Sequence, residues 1–186
     1  NSGRYGFYRV QYDDNSLANL SLLIDEKILN HVDRWSLQND LFSQCVSGTK
    51  QIQEYLDFTT SYHDEDNYIT LQNLAQNLYH LYKLTRKEKF SDEIRTYTAQ
   101  FLGTIFDRLG WDSQKNEKHT NALLRSFVIT ALGKLGDKEI LSEANKRFNK
   151  FLKNKNSLAA DLQEPVFVLA AWQGDKKTYN KLLSLY

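Results

Sequence analysis

The groups able to do chemistry are few and scattered. The four histidines are His31, His63, His80 and His119, and no two lie close enough in sequence to form a helical ligand pair. No H-E-x-x-H run is present, so the two-histidine helix of a zinc peptidase is missing from these residues. His63 adjoins Asp64, Glu65 and Asp66. Such a cluster can hold a metal loosely. It also reads as an exposed acidic turn at a helix start, where free N–H groups attract carboxylates. Cys45 needs a base and access to act as a nucleophile; its apolar neighbours place it in a core instead. There is no glycine-rich phosphate loop and no Gly-x-Ser-x-Gly elbow. Lys146, Arg147, Lys150, Lys153 and Lys155 interleave with Phe148 and Phe151. The phenylalanines hold core positions of a helical pattern, so the cations read as a solvated face rather than a nucleic-acid site. Asp33, Arg34 and Asp40, in the run DRWSLQNDLF, are the most suggestive polar residues. They sit on a helix with apolar residues on two sides, and a charge there needs a partner. Arg9, just upstream, is the candidate partner for Asp40 or Asp33. Two roles follow for these residues: pinning the first segment to the helix, or touching a peptide.

The elements that position them are helical from Asp14 onward. Leu17, Leu20 and Ile24 put a short helix over 15–24. Asp33 is a candidate cap for a helix carrying Leu37, Leu41, Phe42 and Cys45 that ends near Ser47-Gly48. Thr49 opens the next, with Ile52, Tyr55 and Leu56 in register. Tyr68, Leu71, Ala75, Leu78 and Tyr82 form another, and Ser91-Asp92-Glu93 starts a long one ended by Gly110. Leu124, Phe127, Val128, Ala131 and Leu135 line one face of a helix, and Ile140, Ala144, Phe148 and Phe151 line that of the next. Between them Gly136 supplies a left-handed stop and Asp137 a cap. Asp161 with Glu164 has the spacing of a capping box, and Pro165 lies near the same first turn. Thr178 to Tyr186 is a last helix. Gly174-Asp175-Lys176 repeats the Gly136-Asp137-Lys138 joint about 38 residues on, close to the roughly 40–47-residue period of HEAT and armadillo repeats. Asn1 to Asp13 differs from all this. Tyr8, Val10 and Tyr12 alternate with Phe7, Arg9 and Gln11, as on a strand.

The chain has 186 residues, of which 41% are hydrophobic, enough for a sizeable core. A formal net charge of +1 gives no pull toward nucleic acid or anionic lipid. No apolar run approaches the roughly 20 residues of a membrane span. With a single cysteine no internal disulfide can form, which fits a reducing compartment. Methionine is absent, even at position 1, as expected of a piece cut from a longer product.

The same residues carry a family resemblance. Asn1-Ser2-Gly3 through Gly6-Phe7-Tyr8-Arg9-Val10-Gln11-Tyr12 resembles the end of the small β domain in zinc aminopeptidases of the aminopeptidase N family. Asp33-Arg34-x-x-Leu37-Gln38-Asn39-Asp40-Leu41-Phe42 resembles the start of that family's helical C-terminal domain. Arg108-Leu109-Gly110-Trp111-Asp112, Leu123-Leu124-Arg125, Gly133, Ala144, Phe148 and Ala160-Asp161-Leu162 continue it in order, with the puromycin-sensitive group the most similar. Gln163, where the family often has arginine, and Leu71, where tryptophan is frequent, depart from it.

The resemblance implies an all-α, HEAT/armadillo-like solenoid of antiparallel helix pairs, preceded by one strand from an upstream β-sandwich domain. The boundaries expected are 1–13 for that strand and 14–186 for the first part of the helical domain. The implied enzyme is cytoplasmic and cleaves N-terminal residues from peptides with a zinc held elsewhere, so no catalytic residue, cofactor or metal ligand is expected in this chain. Its expected role is to cap the catalytic domain and shape the peptide cavity. Tyr8, Arg9, Tyr12, Asp33, Arg34, Asp40 and Phe42 are the candidate domain-joint or cavity residues. The expected partners are the upstream domains and peptide substrates, with weak self-association, and neither nucleic acid nor membrane. The alternative is a stand-alone helical-repeat scaffold that binds a protein or peptide; a leading strand argues for the domain reading.

Overall fold

Most of the helices begin where a side chain can take up the free N–H groups of the first turn. In the computed structural model, which describes residues 2–6 and 8–185, Asp13 caps α1 (Asp14–Asp25) through Ser16 N–H at 2.7 Å. Asn30 caps α2 (His31–Val46) through Asp33 N–H, so Asp33 lies inside the first turn and is not the cap expected from sequence. Gln51, not Thr49, opens α3 (Ile52–Thr59), with Glu54 completing a reciprocal capping box. Asn67 accepts from Ile69 and Thr70 N–H at the start of α4 (Tyr68–Thr85).

Next come α5 (Ser91–Leu109), α6 (His119–Lys134), α7 (Lys138–Lys153), α8 (Ala160–Gln173) and α9 (Lys176–Leu183). Among the described residues all regular structure is helical, and no helix is long and apolar enough to cross a membrane.

The strand expected at Tyr8–Tyr12 is not formed: residues 8–13 are neither helix nor ladder. A strand is completed by a neighbour's N–H and C=O groups. Here side chains of α2 take that place. Val10 N–H donates to Asp40 at 3.1 Å, and Gln44 Nε2 donates to the Val10 carbonyl at 2.8 Å. Asn1, Phe7 and Tyr186 lie outside the described residues.

The chain divides into two compact units, Asn1–Leu84 and Thr85–Tyr186. In the first, α1, α2 and α3 enclose Ile24, Leu37, Leu41, Tyr55, Leu56, Phe58 and Tyr62. Leu71, Leu74, Ala75, Leu78 and Leu81 of α4 are buried as well. A polar knot crosses this core: Gln38, fully buried, receives Tyr55 O–H and Asn77 Nδ2, both at 3.0 Å.

In the second unit α6 packs on α5 and α8, and α7 packs on α8. Leu124, Val128, Ala131 and Leu135 of the expected stripe are buried, and so are Ile129 and Leu132, because α6 has neighbours on more than one side. Gly133 permits the close crossing of α6 and α8, since a Cβ there would stand 2.4 Å from Leu169 Cδ2.

The α6–α7 joint has the expected form, with Gly136 at φ +95° and Asp137 accepting from Glu139 and Ile140 N–H. The later echo differs. Asp175 caps α9, but Gly174 has φ −77°, so only half of the motif repeats. The capping box expected at Asp161 is also absent. Ala159 holds the cap position, and the Asp161 carboxylate lies 4.0 Å from the buried Arg125 guanidinium.

Candidate functional site

Asp33, Ser36 and Asp40 lie on one face of α2, at i, i+3 and i+7. That face receives Ser2, Gly3, Arg4, Arg9 and Val10. The Asp33 carboxylate accepts from Gly3 N–H at 2.6 Å and from the Ser2 hydroxyl at 2.9 Å. Asn30 Nδ2, at 2.7 Å, steadies it from the helix cap. Two turns on, Asp40 is 2% exposed and accepts from Arg4 at 2.7 Å, Arg9 at 3.2 Å and Val10 N–H at 3.1 Å. Arg4 also donates to Ser36 Oγ at 2.6 Å and lies over the Trp35 ring at 5.3 Å. It holds a left-handed backbone, φ +58°, a conformation that costs energy for a non-glycine residue and that these contacts offset. Arg9 donates as well to the Asn39 carbonyl at 3.0 Å. Two carboxylates of one helix thus clasp the segment through its backbone and its cations, and charge-assisted bonds are the strong ones.

Beside the clasp is a cavity of about 210 Å³. Leu20, Leu29 and Leu37 form its apolar wall, and Tyr12, Asp33 and Asp40 its polar side. Burial raises the Tyr12 hydroxyl above its ordinary pKa, and the charges of Asp40 and Asp33 push it further the same way.

The structure therefore brings Arg9, Tyr12, Asp33 and Asp40 together, with Tyr8 near enough to act on the Tyr12 hydroxyl, and leaves Arg34 and Phe42 elsewhere. Tyr8 is 59% exposed. Arg34 turns away from Asp33, as adjacent helical residues must. It forms a buried two-point pair with Glu65, at 2.6 and 2.7 Å, and donates to the Leu29 carbonyl at 2.6 Å. Phe42 packs its ring on Tyr55 and His80, inside the first unit.

Glu65 corrects the reading of 63–66 as an exposed acidic turn. It is 3% exposed and accepts from Asn67 and Asp66 N–H. Burial alone would raise its pKa, but the Arg34 guanidinium and those two N–H groups hold it below the ordinary glutamate range. Asp64 and Asp66 remain exposed, with His63 3.2 Å from Asp25. Sequence reasoning missed Arg4, Ser36 and Glu65. The i, i+3, i+7 set on α2 contained the signal for Ser36; no spacing points to Arg4 or Glu65.

Cys45 is buried, and desolvation pushes its thiol up to about 11. Its Sγ donates to the Gln51 carbonyl at 3.2 Å. It is a packed thiol, not an activated one. Among the described residues no group of three or more His, Cys, Asp or Glu could hold a metal ion, so these side chains do not fit a zinc site.

Comparison with known proteins adds the lineage. The sequence model of the family described as "ERAP1-like C-terminal domain" matches residues 1–186. Aminopeptidase M1 of Arabidopsis thaliana is 31% identical over 195 residues, covering 100% of this chain and 22% of that protein. Puromycin-sensitive aminopeptidase of Caenorhabditis elegans is 27% identical, over 100% of this chain and 20% of that protein. Probable aminopeptidase 2 of Sulfurisphaera tokodaii is 28% identical, over 100% and 21%. The chain spans about a fifth of the length of these relatives. With the helical fold, the clasped first segment and a match across its whole length, the chain belongs to the ERAP1-like C-terminal domain family.

Proposed function

We propose that this chain is the first part of the helical C-terminal domain of a zinc-dependent, cytoplasmic aminopeptidase, and that its own task is not catalytic. It caps the catalytic domain and shapes the cavity that admits peptides. Residues 1–13 then lead in from the end of an upstream β-sandwich domain, and 14–186 begin a solenoid of antiparallel helix pairs. The upstream domains of the same polypeptide and the peptide substrate are its partners. Zinc belongs to the catalytic domain.

One observation carries the reading: every residue of the chain matches a C-terminal domain, over about a fifth of proteins named as aminopeptidases. The clasp supports it. A segment held end-on by two α2 carboxylates, at Gly3 N–H and Val10 N–H, has the form of a joint.

Reading the transcript upstream of Asn1 tests this. An H-E-x-x-H run with a downstream glutamate is expected there. A complete open reading frame lacking it contradicts the proposal. The purified 186-residue chain should also release no fluorogenic group from aminoacyl substrates. Release that follows the chain and disappears on chelation contradicts that part.

A further inference from the structure

We propose that the groove between α5 and the start of α7 is a docking site for a lysine- or arginine-bearing stretch of peptide. The inference rests on the reading that this domain meets peptides, and names the chemistry it selects. The groove lies wholly within the second unit and encloses about 690 Å³. Its floor and walls are Phe106, Trp111, Leu132 and Ile140. Trp111 is held in place: it stands edge-on to Phe106 at 6.2 Å, with the Arg147 guanidinium over its ring at 4.8 Å. Arg147 is itself fixed by Asp112, at 2.6 and 2.8 Å, and by Glu143 at 2.8 Å. The wall is therefore preformed.

The rim is acidic. Four carboxylates line it, Asp107, Asp137, Glu139 and Glu143, against the single ammonium of Lys138. Asp137 is engaged in capping α7, and Glu143 in holding Lys146 and Arg147. Asp107 and Glu139 come from opposite sides of the groove, are exposed, and take part in no ion pair among the described residues. A long basic side chain suits this arrangement. Its aliphatic stem lies on Phe106 and Trp111, and its cation meets the two uncommitted carboxylates.

Gly103 points independently to an occupant. It stands inside α5, where glycine is a poor helix former. No neighbour demands the missing side chain: a Cβ there would find nothing within 4 Å, and the backbone is not left-handed. Gly103 lines the groove, so the space that the glycine preserves is the groove itself.

Fluorescence anisotropy on the 186-residue chain tests the site. The probes are dye-labelled peptides about ten residues long that alternate leucine with lysine, with glutamate or with glutamine. The lysine peptide should bind at least about tenfold more tightly than either other peptide. Gly103→Leu, which puts a side chain into the groove from a position open to a Cβ, should weaken that binding at least about tenfold while the thermal melt stays cooperative. Asp107→Asn combined with Glu139→Gln should weaken it as much and flatten its salt dependence. This pair of substitutions carries the test should Gly103→Leu not fold. Three results overturn the site: no preference for the lysine peptide, affinity indifferent to both folded variants, or a groove filled by a second copy, seen as a dimer that Gly103→Leu dissociates. None of these touches the upstream zinc motif, so loss of the groove and loss of the aminopeptidase reading are separable.

Discussion

Asp40 answers two arginines and a backbone N–H with one carboxylate, and the arginines do not share it equally. Arg4 is the nearer, and its side chain is 23% exposed against 47% for Arg9. Exposed pairs contribute below about 1 kcal/mol, and charged hydrogen bonds nearer burial about 1.5–3 kcal/mol. Double-mutant cycles by urea unfolding should therefore couple Asp40→Ala to Arg4→Ala by more than about 1 kcal/mol, and to Arg9→Ala by less. Stronger coupling at Arg9 would contradict the geometry.

The Arg34–Glu65 pair makes a separate prediction about pH. The folded pKa of Glu65 is depressed, so the stability it contributes is complete above the unfolded value, about 4.3, and is lost as pH falls through the folded one. Glu65→Gln should cost about 3–5 kcal/mol at neutral pH, because Arg34 stays buried without its counter-charge. It should also flatten the acid limb of stability against pH. An unchanged acid limb sinks the assignment.

At the scale of elements, α6 and its crossings carry the second unit. Gly133→Val places carbon where Leu169 already stands and should destabilise by about 1–3 kcal/mol, measured by thermal or denaturant unfolding. Gly136→Ala should cost about 1 kcal/mol by a different route, the left-handed backbone. Equal stability of both variants and the parent would contradict these packing and joint assignments.

The long helices were legible because their signals are local. α5 runs from Ser91 to the residue before Gly110 as expected, although no side chain caps its start, and the α6–α7 joint follows from Gly136 and Asp137. The errors arose where a neighbouring residue competes for the same role or a partner distant in sequence decides the outcome. Asp33 has the right type for a cap, yet Asn30 lies one turn earlier and takes the role. Residues 8–13 alternate like a strand, but side chains of α2, not a neighbouring strand, bond the backbone of Val10. Of the candidate site, the meeting of Arg9 with Asp40 was legible from a charge on a helix apolar on two sides. Arg34–Glu65 was not, since 31 residues separate the partners and no periodicity links them. The groove is illegible in the sequence for a similar reason: its lining is shared among α5, α6 and α7.

On the scale of the whole molecule, α9 has no buried residue, and Trp172, Tyr179 and Leu183 are exposed around it. Exposed apolar patches favour association. Sedimentation at rising concentration is expected to show a weak dimer, shifted to monomer by Tyr179→Lys with Leu183→Lys. A chain that stays monomeric throughout contradicts this. Under the proposed function, the helical domain sets which peptides reach a zinc centre housed elsewhere. A chimera tests it most directly: Aminopeptidase M1 of Arabidopsis thaliana with its matched region replaced by this chain, assayed against peptides of increasing length. Cleavage of a one-residue fluorogenic substrate should persist, while the length profile shifts away from the parent's and shifts again when Asp33 and Asp40 are both replaced by alanine. A length profile identical to the parent's, with the one-residue substrate still cleaved, would contradict the claim.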